Sequence, residues 1–205
     1  MSITTYDELK STIADWLKRS DIVADTPVFI SLAEARFNRL LKTMEMETRS
    51  QSIIDTEYIP LPADFHSIRE IHLEQTPDKP LEYMSPQHMR GTIAASDTGT
   101  PSIYTIVDGQ IQFAPIPTGF FTVEIIYYQK IPALSASNAS NWLLDTHPDL
   151  YLYASLCQAE SWLMNDARIP MWKSFVNDTL AEIMLFDGKK KIGSTPLIPR
   201  TGIVV

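Results

Sequence analysis

One cysteine, Cys157, stands among 205 residues, which excludes an intrachain disulfide and any metal site built from several thiolates of one chain. Within an apolar helical pattern it reads as a small core residue. Long hydrophobic runs are missing: no stretch approaches the roughly 18 to 20 apolar residues that cross a bilayer, so no membrane partner is expected. The opening MSITTYDELK has neither a basic flank nor a hydrophobic signal core, and synthesis in the cytoplasm is the expectation. Catalytic signatures are missing too: there is no Walker A loop, G-x-G-x-x-G, H-E-x-x-H, G-x-S-x-G or EF-hand spacing. Neither an enzyme nor a cofactor is therefore predicted. Positive charge is scarce, with 17 Lys and Arg against 25 Asp and Glu, a formal net charge of −8. Generic duplex binding needs clustered cations, so this balance argues against it.

The scarce positive charge is unevenly placed. Residues 188–205 hold Lys189, Lys190, Lys191 and Arg200 and no acid, and this +4 leaves −12 on the rest of the chain. An acidic body with a basic tail suits self-association or docking onto an acidic partner. The apolar content of 44% is ample for a core, in one domain or in a body with an insertion.

Helical periodicity occupies the two ends of the chain. Thr5 and Glu8 have capping-box spacing, and Tyr6, Leu9, Ile13, Trp16 and Leu17 follow at helical intervals until Ser20-Asp21. Asp25-Thr26-Pro27 predicts a second helix to about Met44, burying Phe29, Ile30, Ala33, Phe37, Leu40, Leu41 and Met44. Arg36, Arg39 and Lys42 lie on one arc of it, either a solvated face or an intersubunit or DNA-facing patch. Asp145, Thr146 and Pro148 predict the start of a third helix that is apolar over more than half its surface. After a break at Asn165-Asp166, Pro170 opens a fourth, with Trp172, Phe175, Val176, Thr179, Ile183 and Phe186 or Met184 inward and Gly188 as its cap. The last two helices should form an antiparallel hairpin.

Between these ends the grammar is that of strands. From Thr48 to about Leu134, Pro and Gly punctuate short runs rich in Ile, Val, Tyr, Phe and Thr. Candidate strands are Ser52 to Tyr58, Ser67 to Glu74, Pro80 to Tyr83, Ile103 to Val107, Gln110 to Phe113 and Phe120 to Lys130. A helical turn is expected at Ser85 to Arg90 and a polar loop at Ser96 to Pro101. Asp108-Gly109 is the strongest hairpin signal, since both residues tolerate the positive φ of a type I′ turn. The predicted class is α+β: a bundle of about four helices, two N-terminal and two C-terminal, with an inserted β-rich unit and an extended C-terminal tail. The boundaries are 1–47 and 140–187 for the helical body, 48–139 for the β-rich unit and 188–205 for the tail.

Candidate chemistry is thin. His66 and His72 sit six apart near Asp64 and Glu70, the one reasonable centre for a metal or an acid/base pair, and the alternative is histidines on a strand surface. His147 reads as part of a helix start, where Asp145 and Asp149 complement the helix dipole. Tyr127, Tyr128, Tyr151 and Tyr153 lack a surrounding basic field and read as packing or interface residues. The tail residues Leu197, Ile198, Ile203, Val204 and Val205 are more apolar than a solvating terminus needs, so an arm gripping another subunit competes with a frayed end.

A series of short motifs then carries a resemblance. They are Asp-Trp-Leu-Lys-Arg at 15–19, Phe-Ile-Ser-Leu-Ala-Glu-Ala-Arg at 29–36, Leu-Pro-Ala-Asp-Phe at 61–65 and Phe-Ala-Pro at 113–115. Tyr127-Tyr128, Ile-Pro-Ala-Leu-Ser at 131–135, Asn-Trp-Leu-Leu at 141–144 and Pro-Asp-Leu-Tyr-Leu-Tyr-Ala at 148–154 complete it. In this order the chain resembles the head-to-tail connector, or adaptor, proteins of tailed bacteriophages. The resemblance implies a structural virion protein, made in the host cytoplasm, that forms a dodecameric ring below the portal, completes the head, lets DNA pass without sequence-specific contacts and offers a surface to tail or nozzle proteins. It carries over no catalytic residue. The expected portal or neighbour-subunit contacts are Lys189, Lys190, Lys191, Leu197, Ile198, Arg200, Ile203, Val204 and Val205. The alternatives are a tail-completion or gatekeeper ring protein and a phage-encoded hydrolase centred on His66, Asp64 and His72.

Overall fold

The computed structural model describes residues 3–74, 79–92, 97–164 and 167–192. In chain order the first elements are α1 (Tyr6–Leu17), α2 (Thr26–Leu40), a 3-10 turn (Met44–Met46), β1 (Glu47–Ile54), β2 (Tyr58–Pro60), β3 (Phe65–Leu73), β4 (Lys79–Pro80) and β5 (Glu82–Tyr83). There follow α3 (Pro86–Thr92), β6 (Thr98–Gly99), β7 (Ile103–Val107), β8 (Gln110–Ala114), β9 (Ile116–Pro117) and β10 (Phe121–Gln129). The chain then returns to helices: α4 (Trp142–Thr146), α5 (Pro148–Trp162) and α6 (Ile169–Ile192). The fold is mixed α+β, as predicted. It divides into two compact units, Met1–Glu45 with Ile131–Val205, and Met46–Lys130.

In the helical unit, α1 begins where the sequence placed it. The Thr5 hydroxyl accepts from the Glu8 amide at 3.3 Å, and the Glu8 carboxylate accepts from the Thr5 amide at 3.2 Å. Two amides with no partner inside the helix are thereby satisfied. Tyr6, Leu9, Ile13 and Ala14 face inward, and Lys18 at φ 54° ends the helix. Helix α2 starts at Thr26 with Pro27 in its first turn but stops at Leu40, four residues before the predicted end. Leu41 is extended, at φ −90° and ψ 137°, so helical spacing does not govern burial beyond it. Leu41 is buried, while the predicted core residues Leu40 and Met44 are exposed.

Helix α5 is the centre of this unit. Leu150, Tyr151, Leu152, Ala154, Leu156, Cys157 and Ala159 are buried around most of its circumference, because α2, α6 and α1 all pack on it. Phe37 meets Tyr151 edge-on at 5.1 Å and Phe29 meets Trp162 at 5.9 Å, so α2 runs antiparallel to α5. Helix α6 does too, with Thr179 beside Asp149 and Arg168 beside Glu160. The predicted start of α5 at Pro148 is observed, but Asp145 and Thr146 do not cap it. They belong to α4, which Asn141 caps by accepting the Leu144 amide at 2.9 Å. The Asn165-Asp166 break lies outside the described residues.

Helix α6 departs from the prediction at two points. Its inward residues are Trp172, Val176, Leu180, Ile183 and Asp187, whereas Phe175, Met184 and Phe186 are exposed. It also continues through Gly188 to Ile192, so Gly188 is not a cap and the residues just after it are not an extended tail. The last turns are held: Asp187 accepts the Met44 amide at 2.8 Å, and Lys190 pairs with Glu45 at 2.5 Å. A glycine inside a helix costs about 1 kcal/mol relative to alanine. A Cβ added at Gly188 would meet nothing within 4 Å. Gly188→Ala is therefore expected to raise stability by about 0.5 to 1 kcal/mol in urea denaturation. A loss of stability would mean that position 188 takes the left-handed conformation of a cap.

The β unit pairs two four-stranded sheets, ordered β1-β10-β3-β4 and β2-β8-β7-β5, with a small β6-β9 pair. Strand β10 runs antiparallel between β1 and β3, aligning Val123 with Ser52 on one side and Leu73 on the other. Its residues Val123, Ile125 and Tyr127 join Ile54, Ile71 and Leu73 from the same sheet and Tyr104, Ile111 and Phe113 from the other in one core. The predicted strand Ser52 to Tyr58 is instead split between β1 and β2, because the chain changes sheets there. The hairpin turn is as predicted, with Asp108 at φ 51° and Gly109 at φ 70° between β7 and β8.

Candidate functional site

Three sets of residues were candidates for function, and the fold treats them differently. The His66, His72 and Asp64 centre does not converge. Both histidines lie on β3, and six residues of strand separate their backbones by roughly 20 Å. Asp64 is occupied elsewhere: its carboxylate accepts the Tyr127 hydroxyl at 3.0 Å and its carbonyl accepts the Lys130 amide at 2.7 Å. Burial first, then the Asp64 carboxylate, pushes the Tyr127 hydroxyl up to about 12. Asp64 thus ties the Leu61–Phe65 turn to the end of β10. His72 instead faces Glu124, with Nε2 3.7 Å from Oε1. Among the described residues no group of three or more His, Cys, Asp or Glu side chains is arranged to hold a metal ion. No described helix is long and apolar enough to cross a membrane.

The second set, Arg36, Arg39 and Lys42, is not one free arc. Arg36 is half-buried, and its guanidinium donates to the Asn177 side chain at 3.0 Å, tying α2 to α6. Arg39 is exposed on the last turn of α2. Lys42 is exposed beyond the end of that helix.

A buried polar network behind this arc escaped sequence reasoning. Glu34 on α2 accepts the Leu134 amide at 2.8 Å and the Tyr151 hydroxyl at 3.1 Å. Asn141 donates to the Tyr151 hydroxyl and to the Pro132 carbonyl, both at 2.7 Å. The Ile131–Ser135 segment is thus held to α2 and α5 by a carboxylate, a phenol and an amide. Burial pushes the Glu34 carboxyl up, against the Leu134 and Tyr151 hydrogen bonds, which favour its charged form. Burial and then the Glu34 charge push the Tyr151 hydroxyl far above its usual range.

The third set, the tail, is described only at its beginning. Lys189 and Lys190 are exposed residues of α6, while the Lys191 side chain and Leu197, Ile198, Arg200, Ile203, Val204 and Val205 lie outside the described residues. Lys190 also stands 4.8 Å over the Phe186 ring. Lys189 lines a groove of about 350 Å³ between the start of α5 and the C-terminal half of α6, with Ile183, Leu185 and Phe186 beside Asp149 and Glu182. Leu185 is 62% and Phe186 61% exposed, large values for aliphatic and aromatic side chains on a helix whose other face is in the core. Toward the other end of α6, Trp16, Tyr153, Trp172 and Phe175 form an aromatic cluster with centroids 5.2 to 6.2 Å apart. Trp16 and Phe175 are nearly half exposed in it. The surplus of apolar residues on α6, more than one face can bury, was the signal for this surface.

Such surfaces suit macromolecular contact. Comparison with curated proteins finds no match. The family profile described as SU10 adaptor protein matches residues 4–200, a span that covers both units and nearly all of the chain. The chain belongs to the SU10 adaptor protein family, a family of phage head-to-tail adaptors.

Proposed function

We propose that the protein is a structural head-to-tail adaptor that forms a ring, a dodecamer, below the portal of a tailed phage. In this reading it completes the head after packaging, lets DNA pass and presents the surface to which tail or nozzle proteins attach. The observation that carries it is the family match across residues 4–200, to a structural adaptor family and not a known enzyme family. Family membership also implies a virion component. Two physical features support the finer reading. The acidic body suits a channel that must not hold DNA. The exposed apolar and aromatic surface of α1 and α6 suits packing between subunits.

The helical unit serves as the ring body and the β unit faces outward or toward tail components. Arg36, Arg39 and Lys42 border an intersubunit or channel face, Arg36 through its anchoring of α6. Residues 188–205 contact the portal or a neighbouring subunit, through Lys189, Lys190 and Lys191 and the aliphatic residues beyond. The free subunit is a monomer, because acidic bodies repel one another and the portal supplies the template. Mass measurement by light scattering, with and without assembled portal, tests this. A monomer that joins portal in ring stoichiometry is the expected outcome. A protein that ignores portal, or that forms stable rings alone, would overturn it.

A further inference from the structure

The groove between the start of α5 and the C-terminal half of α6 combines apolar and charged lining. Its apolar lining is Ile183, Leu185 and Phe186, and its polar lining holds two carboxylates, Asp149 and Glu182, against one lysine, Lys189, with His147 beside them. The Thr179 hydroxyl, which donates to the Phe175 carbonyl at 2.9 Å, lies 3.4 Å from the Asp149 carboxylate across the seam between α5 and α6, so the carboxylates and the apolar lining adjoin. An occupant should combine aliphatic side chains with a cation, in a segment narrow enough for a groove between two helices.

One stretch of this chain has that chemistry. Residues 193–205 read Gly-Ser-Thr-Pro-Leu-Ile-Pro-Arg-Thr-Gly-Ile-Val-Val, with five aliphatic side chains, one cation and no acid. Pro196 and Pro199 disfavour helix and bias Thr195 and Ile198 toward extended backbone, the form that lies in a groove. Leu197 and Ile198 precede Arg200 by two or three residues, which lets the aliphatic pair sit on Leu185 and Phe186 while the guanidinium reaches Glu182, one helical turn away. We propose that the groove receives residues 193–205 of a neighbouring copy, Leu197 and Ile198 on its apolar lining and Arg200 against Asp149 and Glu182.

A neighbour is favoured over the same chain because ring closure needs two unlike, complementary surfaces on each subunit. An arm and a groove carried by one helix supply such a pair. Thirteen extended residues reach roughly 43 Å, enough to cross to a subunit packed alongside. The inference rests on the adaptor reading for the existence of the ring, but the contact itself is testable without portal.

A fluorescently labelled peptide of residues 193–205 is titrated into the free full-length protein and followed by anisotropy. Saturable binding is expected, weakened at least tenfold by Glu182→Lys in the protein or by Arg200→Glu in the peptide, and recovered when the two reversals are combined. Glu182 is exposed, so its substitution leaves the fold intact. Absence of binding, or binding indifferent to Glu182→Lys, overturns the proposal. Occupation by the chain's own arm would also overturn it, and a full-length protein carrying Leu185→Cys and Leu197→Cys detects that by closing a disulfide within one chain. Failure of the adaptor reading shows up separately, as a protein that takes up its arm peptide yet ignores portal.

Discussion

Tyr151→Ala is expected to destabilise the helical unit by about 5 kcal/mol, and Tyr151→Phe by about 1 kcal/mol. Tyr151 is fully buried at the crossing of α2 and α5, edge-on to Phe37. Removing the ring opens a cavity in a close-packed core and deprives Glu34 and Asn141 of a shared partner. Removing the hydroxyl alone keeps the ring packing, and Glu34 retains the Leu134 amide while Asn141 retains the Pro132 carbonyl. All four tryptophans, Trp16, Trp142, Trp162 and Trp172, belong to this unit, so tryptophan fluorescence in urea reads its unfolding directly. Two variants of equal cost would mean that the hydroxyl network, and not the ring, holds α2 to α5.

In the β unit the largest effect is expected from Phe113→Ala, about 3 to 4 kcal/mol, against about 1 kcal/mol for Phe113→Leu. Phe113 is fully buried on β8, paired with Tyr104 on β7, and its amide donates to the Glu57 carbonyl at 2.9 Å. It is the largest fully buried side chain that the second sheet contributes to the common core. No tryptophan reports on residues 46–130, so the measurement is hydrogen exchange. Peptides of β1, β3, β8 and β10 should lose protection by roughly a hundredfold or more in Phe113→Ala, the equivalent of that energy. Loss confined to the β7–β8 hairpin would show that the two sheets do not share a core.

What could be read in the sequence was what neighbours in sequence decide. The Thr5 and Glu8 box, the first-turn prolines Pro27 and Pro148, and the Asp108-Gly109 turn each depend on a few adjacent residues, and each is found in place. Glu34 was illegible because a carboxylate among Leu32, Ala33 and Ala35 looks like a solvated position until Leu134 and Tyr151 arrive from a hundred or more residues away. Asp145 and Thr146 misled because they satisfy the grammar of a cap, while Asn141 had already opened a shorter helix. Gly188 misled in the same way: its intrinsic preference for a helix end yields to the ties that Asp187 and Lys190 make to Met44 and Glu45. Of the candidate site, the basic and aliphatic character of the tail was legible. The groove was not, since Asp149 and Glu182 come to line it together only once α5 and α6 have packed.

The helical unit is discontinuous, and this sets a schedule for the newborn chain. Helices α1 and α2 leave the ribosome first, but α5, on which Phe29 and Phe37 pack, begins roughly a hundred residues later. At about 5 to 20 residues per second, that is a delay of roughly 5 to 20 s. During it the strands of the β unit emerge one after another, and the unit can close once β10 is out, while the amphipathic faces of α1 and α2 wait uncovered. The nascent protein is thus an inner finished module flanked by an unfinished one, and the interval before α5 emerges is when a chaperone has most to bind.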